Sequence, residues 1–236
     1  MEILKNSVTF NVEPIVVHNP NFWEMVTSDT WEPSTFKILQ KCLSKDHTYL
    51  DIGAWVGPTV LFGAQLAKYC YAFEPDPVAY NALVKNLGLN PNIANVTAIR
   101  GAVAAHTGTA QLGTNIGHGD SMSSFLWSKD SMTVDSTSLS DVIQKYNITD
   151  CNFIKMDIEG GEATVLPAAK QVLKELKPTL YLSLHTPWFN DKIDFFDKIN
   201  DTLSIYKNVY DSDWKKISPK EVTELKGFSA VIATND

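Results

Sequence analysis

The sequence predicts an α/β fold, a mainly parallel sheet with helices on both faces. Three observations carry that reading. Between residues 48 and 103, short apolar runs alternate with helix-like segments in a strand, helix, strand, helix, strand order, the rhythm of a parallel sheet buried on both sides. Pro58 and Pro77 each sit at the first position of a predicted helix, where a missing N–H costs nothing. Residues 206–210 and 228–234 read as a closing strand pair whose short link makes an antiparallel hairpin at one sheet edge.

The elements follow in order. Val8-Thr9-Phe10 and Ile15-Val16-Val17 alternate in polarity, and Phe22, Trp23 and Trp31 follow. Residues 1–47 therefore read as an N-terminal cover, packed on the sheet edge or walling a substrate pocket. Residues 48–52 form a buried strand, 58–68 a helix and 69–73 the next strand. Asp76 caps the helix that Gly88 ends, and residues 95–103 form a third strand. Residues 104–137, rich in Gly, Ser and Thr, read as a hairpin and loop excursion near the mouth of the sheet. Then come a helix over 138–146, a strand over 152–156, and a helix over 162–176 disturbed by Pro167. A strand over 179–184 and a helix over 192–204 complete the series.

At 236 residues the chain suits a single domain. With 44% hydrophobic and 20% charged residues it is composed like a folded protein. Its net charge of −7 disfavours nucleic-acid binding by phosphate neutralisation. Cys42, Cys70 and Cys151 are too scattered for a disulfide framework or a zinc site. The opening MEILKNSVTF lacks the apolar core of a signal peptide, and the longest uncharged run, 52–67, is broken by Gly53, Gly57, Pro58 and Gly63. The expectation is a reduced, cytoplasmic location with no membrane association.

The most informative run is Leu50-Asp51-Ile52-Gly53-Ala54-Trp55-Val56-Gly57-Pro58, a strand entering a glycine turn and then a helix. Gly53 can take positive φ and admit a ligand close to the backbone, and Gly57 allows helix and strand to approach. The next strand ends in Phe73-Glu74-Pro75-Asp76. Glu74 thus falls about 20 residues beyond the turn, where nucleotide-binding α/β folds place a carboxylate that grips a ribose diol. A nicotinamide dinucleotide is one ligand for such a pair. Against it, the run is Gly-x-x-x-Gly, and Asp51 is poorly placed beside a pyrophosphate. A ligand with an amino group and no phosphate suits the site better, and S-adenosylmethionine is one.

Tyr49–Gly57, Phe73-Glu74-Pro75-Asp76 and Ile154-Lys-Met-Asp-Ile-Glu-Gly-Gly-Glu162 together resemble the FkbM family of S-adenosylmethionine-dependent methyltransferases. The resemblance extends to Thr30-Trp-Glu-Pro33 and Leu182-Ser-Leu-His185. One position departs: Trp55 stands where the family usually has Asn. The resemblance implies a Rossmann-like class I methyltransferase fold, with a seven-stranded sheet and an antiparallel final hairpin. It also implies cofactor contacts at Asp51, Gly53, Trp55, Gly57 and Glu74, with Asp76, Ala102 and Val103 flanking the adenine. Glu32 becomes a pocket candidate by position, and a sugar or glycan hydroxyl the favoured acceptor, ahead of a natural-product hydroxyl.

Methyl transfer from a sulfonium is an in-line displacement, so the protein chiefly aligns the nucleophile. A hydroxyl must also lose its proton, and a placed base adds about 10²–10⁴-fold. Asp157 ends the fourth strand, Glu159 and Glu162 follow it, and His185 ends the next strand. All open on the rim where such sheets bind ligands. Asp157, His185 and Glu159 are the expected catalytic residues, with His185 or Asp157 as base, since an unperturbed His titrates near neutrality. Asp157 also flanks the cofactor site. With Glu159 and His185 it could hold Mg²⁺, an arrangement these residues permit without requiring. Trp127, Trp188 and Phe189 are candidates to stack on a sugar face.

Overall fold

A computed structural model describes residues 1–189 and 191–235. The chain opens with an antiparallel hairpin, β1 (Glu2–Lys5) and β2 (Val8–Asn11), then α1 (Phe22–Thr27) and α2 (Pro33–Cys42). The first wound half is β3 (Thr48–Ile52), α3 (Pro58–Gly63), β4 (Tyr69–Glu74), α4 (Pro77–Gly88) and β5 (Val96–Arg100). An excursion follows: β6 (Ala102–Ala104), β7 (Gly108–Leu112) and β8 (Met132–Ser138). The second half is α5 (Leu139–Lys145), β9 (Cys151–Met156), α6 (Glu162–Leu176), β10 (Thr179–His185), α7 (Lys192–Leu203), β11 (Asn208–Asp211), α8 (Pro219–Glu224) and β12 (Phe228–Thr234).

The main sheet has seven strands in the order β11-β12-β10-β9-β3-β4-β5. The pairs from β10 to β5 are parallel, and β12 runs antiparallel to both β10 and β11. From β3 the chain winds outward through β4 and β5, then crosses back to β9 on the other side. The strand order therefore reverses between β3 and β9, and a crevice opens at their carboxyl ends. Among the described residues no helix is long and apolar enough to cross a membrane.

Side-chain alternation divides the core and prepares the site. On β3, Leu50 and Ile52 face the core under α5, α6 and α7, while Tyr49 lies in the core beneath the N-terminal segment. On this second face Asp51 pairs in register with Lys155 of β9, and Lys155 with Tyr181 of β10. A polar row thus crosses three adjacent buried strands, one layer below the crevice.

Several elements differ from the sequence expectation. The helix expected over 58–68 ends at Gly63; a turn follows in which Leu66 and Ala67 donate to the Gly63 carbonyl, and the Asn95 amide binds the carbonyls of Ala64, Ala67 and Lys68. The strand expected over 95–103 divides at Gly101. Its second part, β6, leaves the main sheet to pair with β8 in a three-stranded sheet, β6-β8-β7. The last two strands are antiparallel but not a hairpin, since α8 lies between them, opened by a Ser218–Glu221 capping box.

The N-terminal segment rides on α3 and α4 rather than on a sheet edge. Asn86 and Asn90 of α4 and the loop after it bind the backbone of Glu13 and Asn11, and Gln65 binds the Thr9 carbonyl. Phe22 is the hinge of its packing, edge-on to Trp23, Trp31 and Trp55 with ring centroids 4.8, 4.9 and 4.5 Å away. Each such buried aromatic stabilises by roughly 1.5–3 kcal/mol. Through Trp55 this cover reaches the crevice.

Candidate active site

Two cavities meet in the crevice and share Gly53, Trp55, Ser121, Asp157 and Glu159. One is a slot of about 50 Å³ between the ends of β3 and β4 and the 120–125 loop, lined by Phe73, Glu74, Ala102 and Val103. The other is a polar chamber of about 390 Å³ on the α2 side, lined by Glu32, Thr35, Lys155, Tyr181, Ser183 and His185.

The glycine turn joins them. Gly53 has φ +87°, and a Cβ there would lie 1.8 Å from the Asp157 carbonyl oxygen. Glycine is therefore demanded by the meeting of β3 and β9, whatever ligand lies above. The Glu74 carboxylate accepts from the amides of Trp55 (2.8 Å) and Asp76 (2.7 Å). Burial pushes it up to about 8 against the pull of those amides.

Other expected cofactor residues serve the frame. Asp51 is wholly buried, accepting from Tyr49 and Thr59 at 2.6 Å each, with Lys155 Nζ 3.5 Å from its other oxygen. Gly57 caps α3 at φ +94° and leaves room for Leu83. Asp76 caps α4 with one oxygen, and its other accepts from Gly119 N, Ser123 Oγ and His118 Nδ1. It thus latches the 117–123 loop over the slot rather than reaching into it. Trp55 has φ 47° and donates from Nε1 to the Gly119 carbonyl, so its indole holds the same loop.

The expected catalytic residues do converge. His185 Nε2 lies 3.4 Å from Asp157 and 3.4 Å from Glu159, and Nδ1 lies 3.0 Å from buried Glu162. Glu159 also accepts from Trp188 Nε1, and Glu162 from the Ile158 amide. Burial alone would lower His185, but hydrogen bonds to Glu159 and Glu162 and the charge of Asp157 raise it to about 11. The three carboxylates thus favour the imidazolium form of His185, which argues against its expected role as a base. Burial works to raise Asp157, yet Lys155 at 3.2 Å and the His185 charge outweigh it and hold the carboxyl below its usual range. Ligand atoms of Asp157, Glu159 and His185 lie within 4.8 Å of one another. Their imidazole is engaged as a donor on both nitrogens, so a cation would have to displace its proton, and the Mg²⁺ expectation gains no support. Of the aromatic candidates, Trp127 and Trp188 form an edge-to-face chain with exposed Phe228, which lines the chamber, while Phe189 packs on Phe195.

Sequence reasoning missed Lys155, Tyr181, Thr35 and Ser183. The period-2 alternation of β9 held a signal for Lys155, which shares the phase of Asp157 and interrupts an apolar strand. Thr35 and Tyr181 are linked only by folding, through a 2.7 Å contact between α2 and β10.

This seven-stranded sheet order, with its antiparallel end strands and a crevice at the strand ends, is that of the class I methyltransferase fold. Residues 51–211 match the Methyltransferase FkbM domain, and the chain belongs to that family. No curated protein matches it in sequence. Among solved structures it is similar to the FkbM methyltransferase of Methylobacillus flagellatus KT (TM-score 0.55, 20% identity), covering 80% of this chain and 44% of that one. It thus spans less than half of that relative's length. An rRNA methylase from Streptococcus thermophilus aligns with TM-score 0.51 and 13% identity over 86% of this chain and 95% of that one. A precorrin-6y C5,15-methyltransferase from Geobacter metallireducens GS-15 aligns with TM-score 0.50 and 15% identity over 87% and 88%. At these identities the likeness is one of fold.

Proposed function

We propose that the chain is an S-adenosylmethionine-dependent O-methyltransferase acting on a hydroxyl of a sugar or glycan. The observation that carries this reading is the junction of the two cavities at Asp157 and Gly53, with a ribose-type carboxylate in one and hydroxyl- and carboxylate-bearing side chains lining the other.

The residues present fit the cofactor. Glu74 would hold the ribose hydroxyls, and Phe73, Ala102 and Val103 would flank the adenine. Asp51, Asp157, Glu159 and Glu162 outnumber the two cations among them, Lys155 and His185, so the rim favours a cationic ligand. S-adenosylmethionine supplies a methyl group on positively charged sulfur. The 117–123 loop, held by Asp76 and Trp55, lies over this slot. The chamber offers Glu32, Ser183 and Tyr181 to a neutral, hydroxyl-rich acceptor, and Asp157 lies where the two ligands would meet. Held ionised by Lys155 and His185, it can accept a hydrogen bond from an acceptor hydroxyl and align it.

Calorimetry with S-adenosylhomocysteine and with NADH, followed by labelled methyl transfer to a panel of methyl glycosides, tests the reading. Binding of S-adenosylhomocysteine and methylation of at least one glycoside are expected. Tight binding of NADH alone would overturn it. Asp157→Ala should abolish turnover while cofactor binding is largely kept.

A further inference from the structure

His185 is protonated and Asp157 is pinned by a lysine, so neither is suited to take the acceptor's proton. A third carboxylate lines the same chamber. Glu32 precedes α2 in a left-handed conformation, φ 40° and ψ 51°, and its side chain makes no cap for the helix that Pro33 begins. A non-glycine residue in that region stores strain. Released from capping, the carboxylate lies in the chamber wall, in the same cavity as Asp157, Lys155 and His185. Its Oε2 accepts from Thr35 Oγ1 at 2.9 Å, and Thr35 Oγ1 lies 2.7 Å from Tyr181 OH. Thr35 spends its only proton on Glu32, so Tyr181 donates to Thr35. Both side chains are buried, and the pair orients the carboxylate from behind. Among the described residues, Oε1 takes no hydrogen bond.

We propose that Glu32 is the catalytic base that takes the proton of the acceptor hydroxyl. This rests on the methyltransferase reading above. The acceptor oxygen forms its bond to the methyl carbon as the carbon–sulfur bond breaks, the pair staying on sulfur as a neutral thioether. The hydroxyl proton passes to Glu32 Oε1 and later to solvent. The charged groups facing Glu32 are Asp157, Lys155 and His185, with neutral Thr35 and Tyr181 on its own side. Burial and then the Asp157 charge raise Glu32 to about 7, against the pull of Lys155. A base that titrates near the working pH is the effective one. Asp157 thus acts on the base as well as on the substrate: its fixed negative charge keeps Glu32 basic.

Two measurements decide this. In the unliganded protein, carboxyl ¹³C NMR with glutamate labelling, assigned by difference against Glu32→Gln, should show the Glu32 carboxyl titrating near pH 7. A carboxyl titrating with ordinary glutamates overturns the proposal, whatever the acceptor. With a methyl glycoside that the wild type methylates, Glu32→Gln should lower kcat by about 10²–10⁴-fold with S-adenosylhomocysteine affinity unchanged. It should also abolish the acidic limb of the pH profile, and Glu32→Asp should restore part of both. Wild-type kcat in Glu32→Gln overturns the proposal. Failure of the wild type on every glycoside overturns the sugar reading instead, and the NMR titration still judges Glu32.

Discussion

Gly53 and Asp157 meet so closely at the strand ends that a Cβ on the glycine would lie 1.8 Å from the aspartate's carbonyl oxygen. The relationship joins the glycine turn after β3 to the end of β9 by backbone contact. Gly53→Ala should therefore displace Asp157 as well as strain the turn at φ +87°. The left-handed conformation costs about 1–2 kcal/mol, and overpacking about 1–3 kcal/mol more. Urea unfolding should show a lowered midpoint at unchanged slope, with transfer lost even where folding survives.

Glu74 ties cofactor affinity to pH. On the proposed reading the ionised carboxylate would accept from ribose hydroxyls, and burial holds the unliganded group near 8. S-adenosylhomocysteine should therefore bind more tightly as pH rises from about 7 to 9, because ligand and proton compete for the same oxygens. Glu74→Gln keeps the shape and loses the charge. It should weaken binding by about 10- to 100-fold, the value of one hydrogen bond to a charged group, and flatten the pH dependence. Calorimetry at three pH values checks both.

Much of the frame was legible in the sequence because it rests on local rules. The buried strand at 48–52, the Asp76–Pro77 helix start and the alternation from β3 to β5 follow from periodicity and capping, and the structure repeats them. Strands β11 and β12 were also found, but the α8 that separates them was missed, since Ser218-Pro219 and Glu221 make a short capping box that leaves little periodicity to read. In the site, motifs pointed to Asp157, Glu159 and His185 but carried no record of their mutual charge. That three carboxylates surround one imidazole is a product of β9, α6 and β10 packing together, and it turns a neutral-pH base into a fixed cation. Asp51 and Asp76 read as ligand contacts through the family resemblance of their motifs. Their hydrogen bonds to Thr59 and Gly119 come from chain reversals and loop closure that no local pattern encodes.

Lys155 is the counter-ion of the polar row. It lies 3.2 Å from Asp157 and 3.5 Å from Asp51, with both carboxylates largely cut off from water. Lys155→Met preserves much of the volume but leaves two carboxylates uncompensated. A buried pair broken on one side costs about 3–5 kcal/mol, so a large fall in the unfolding midpoint at pH 7 is expected. The fall should shrink at pH 4, where protonation relieves the orphaned carboxylates. An equal loss at both pH values would place the effect in packing rather than charge.

His185 gives the chain a stability that depends on its own proton. Its folded pKa is raised to about 11, against roughly 6.5 in an unfolded chain. The folded state therefore binds the proton more tightly, and the resulting stabilisation is complete below about pH 6.5 and lost as pH rises toward 11. Glu159, Glu162 and Asp157 face the ring, and Phe228 lies edge-on with its centroid 5.7 Å away. Wild-type stability should decline from pH 7 to pH 10 more steeply than that of His185→Gln, which has no proton to lose. Glu162→Gln, by removing the carboxylate nearest Nδ1, should move the ring's own NMR titration down toward neutrality. A wild-type imidazole that titrates near 6.5 would restore His185 as a base and would detach the chamber's acid–base chemistry from Glu32.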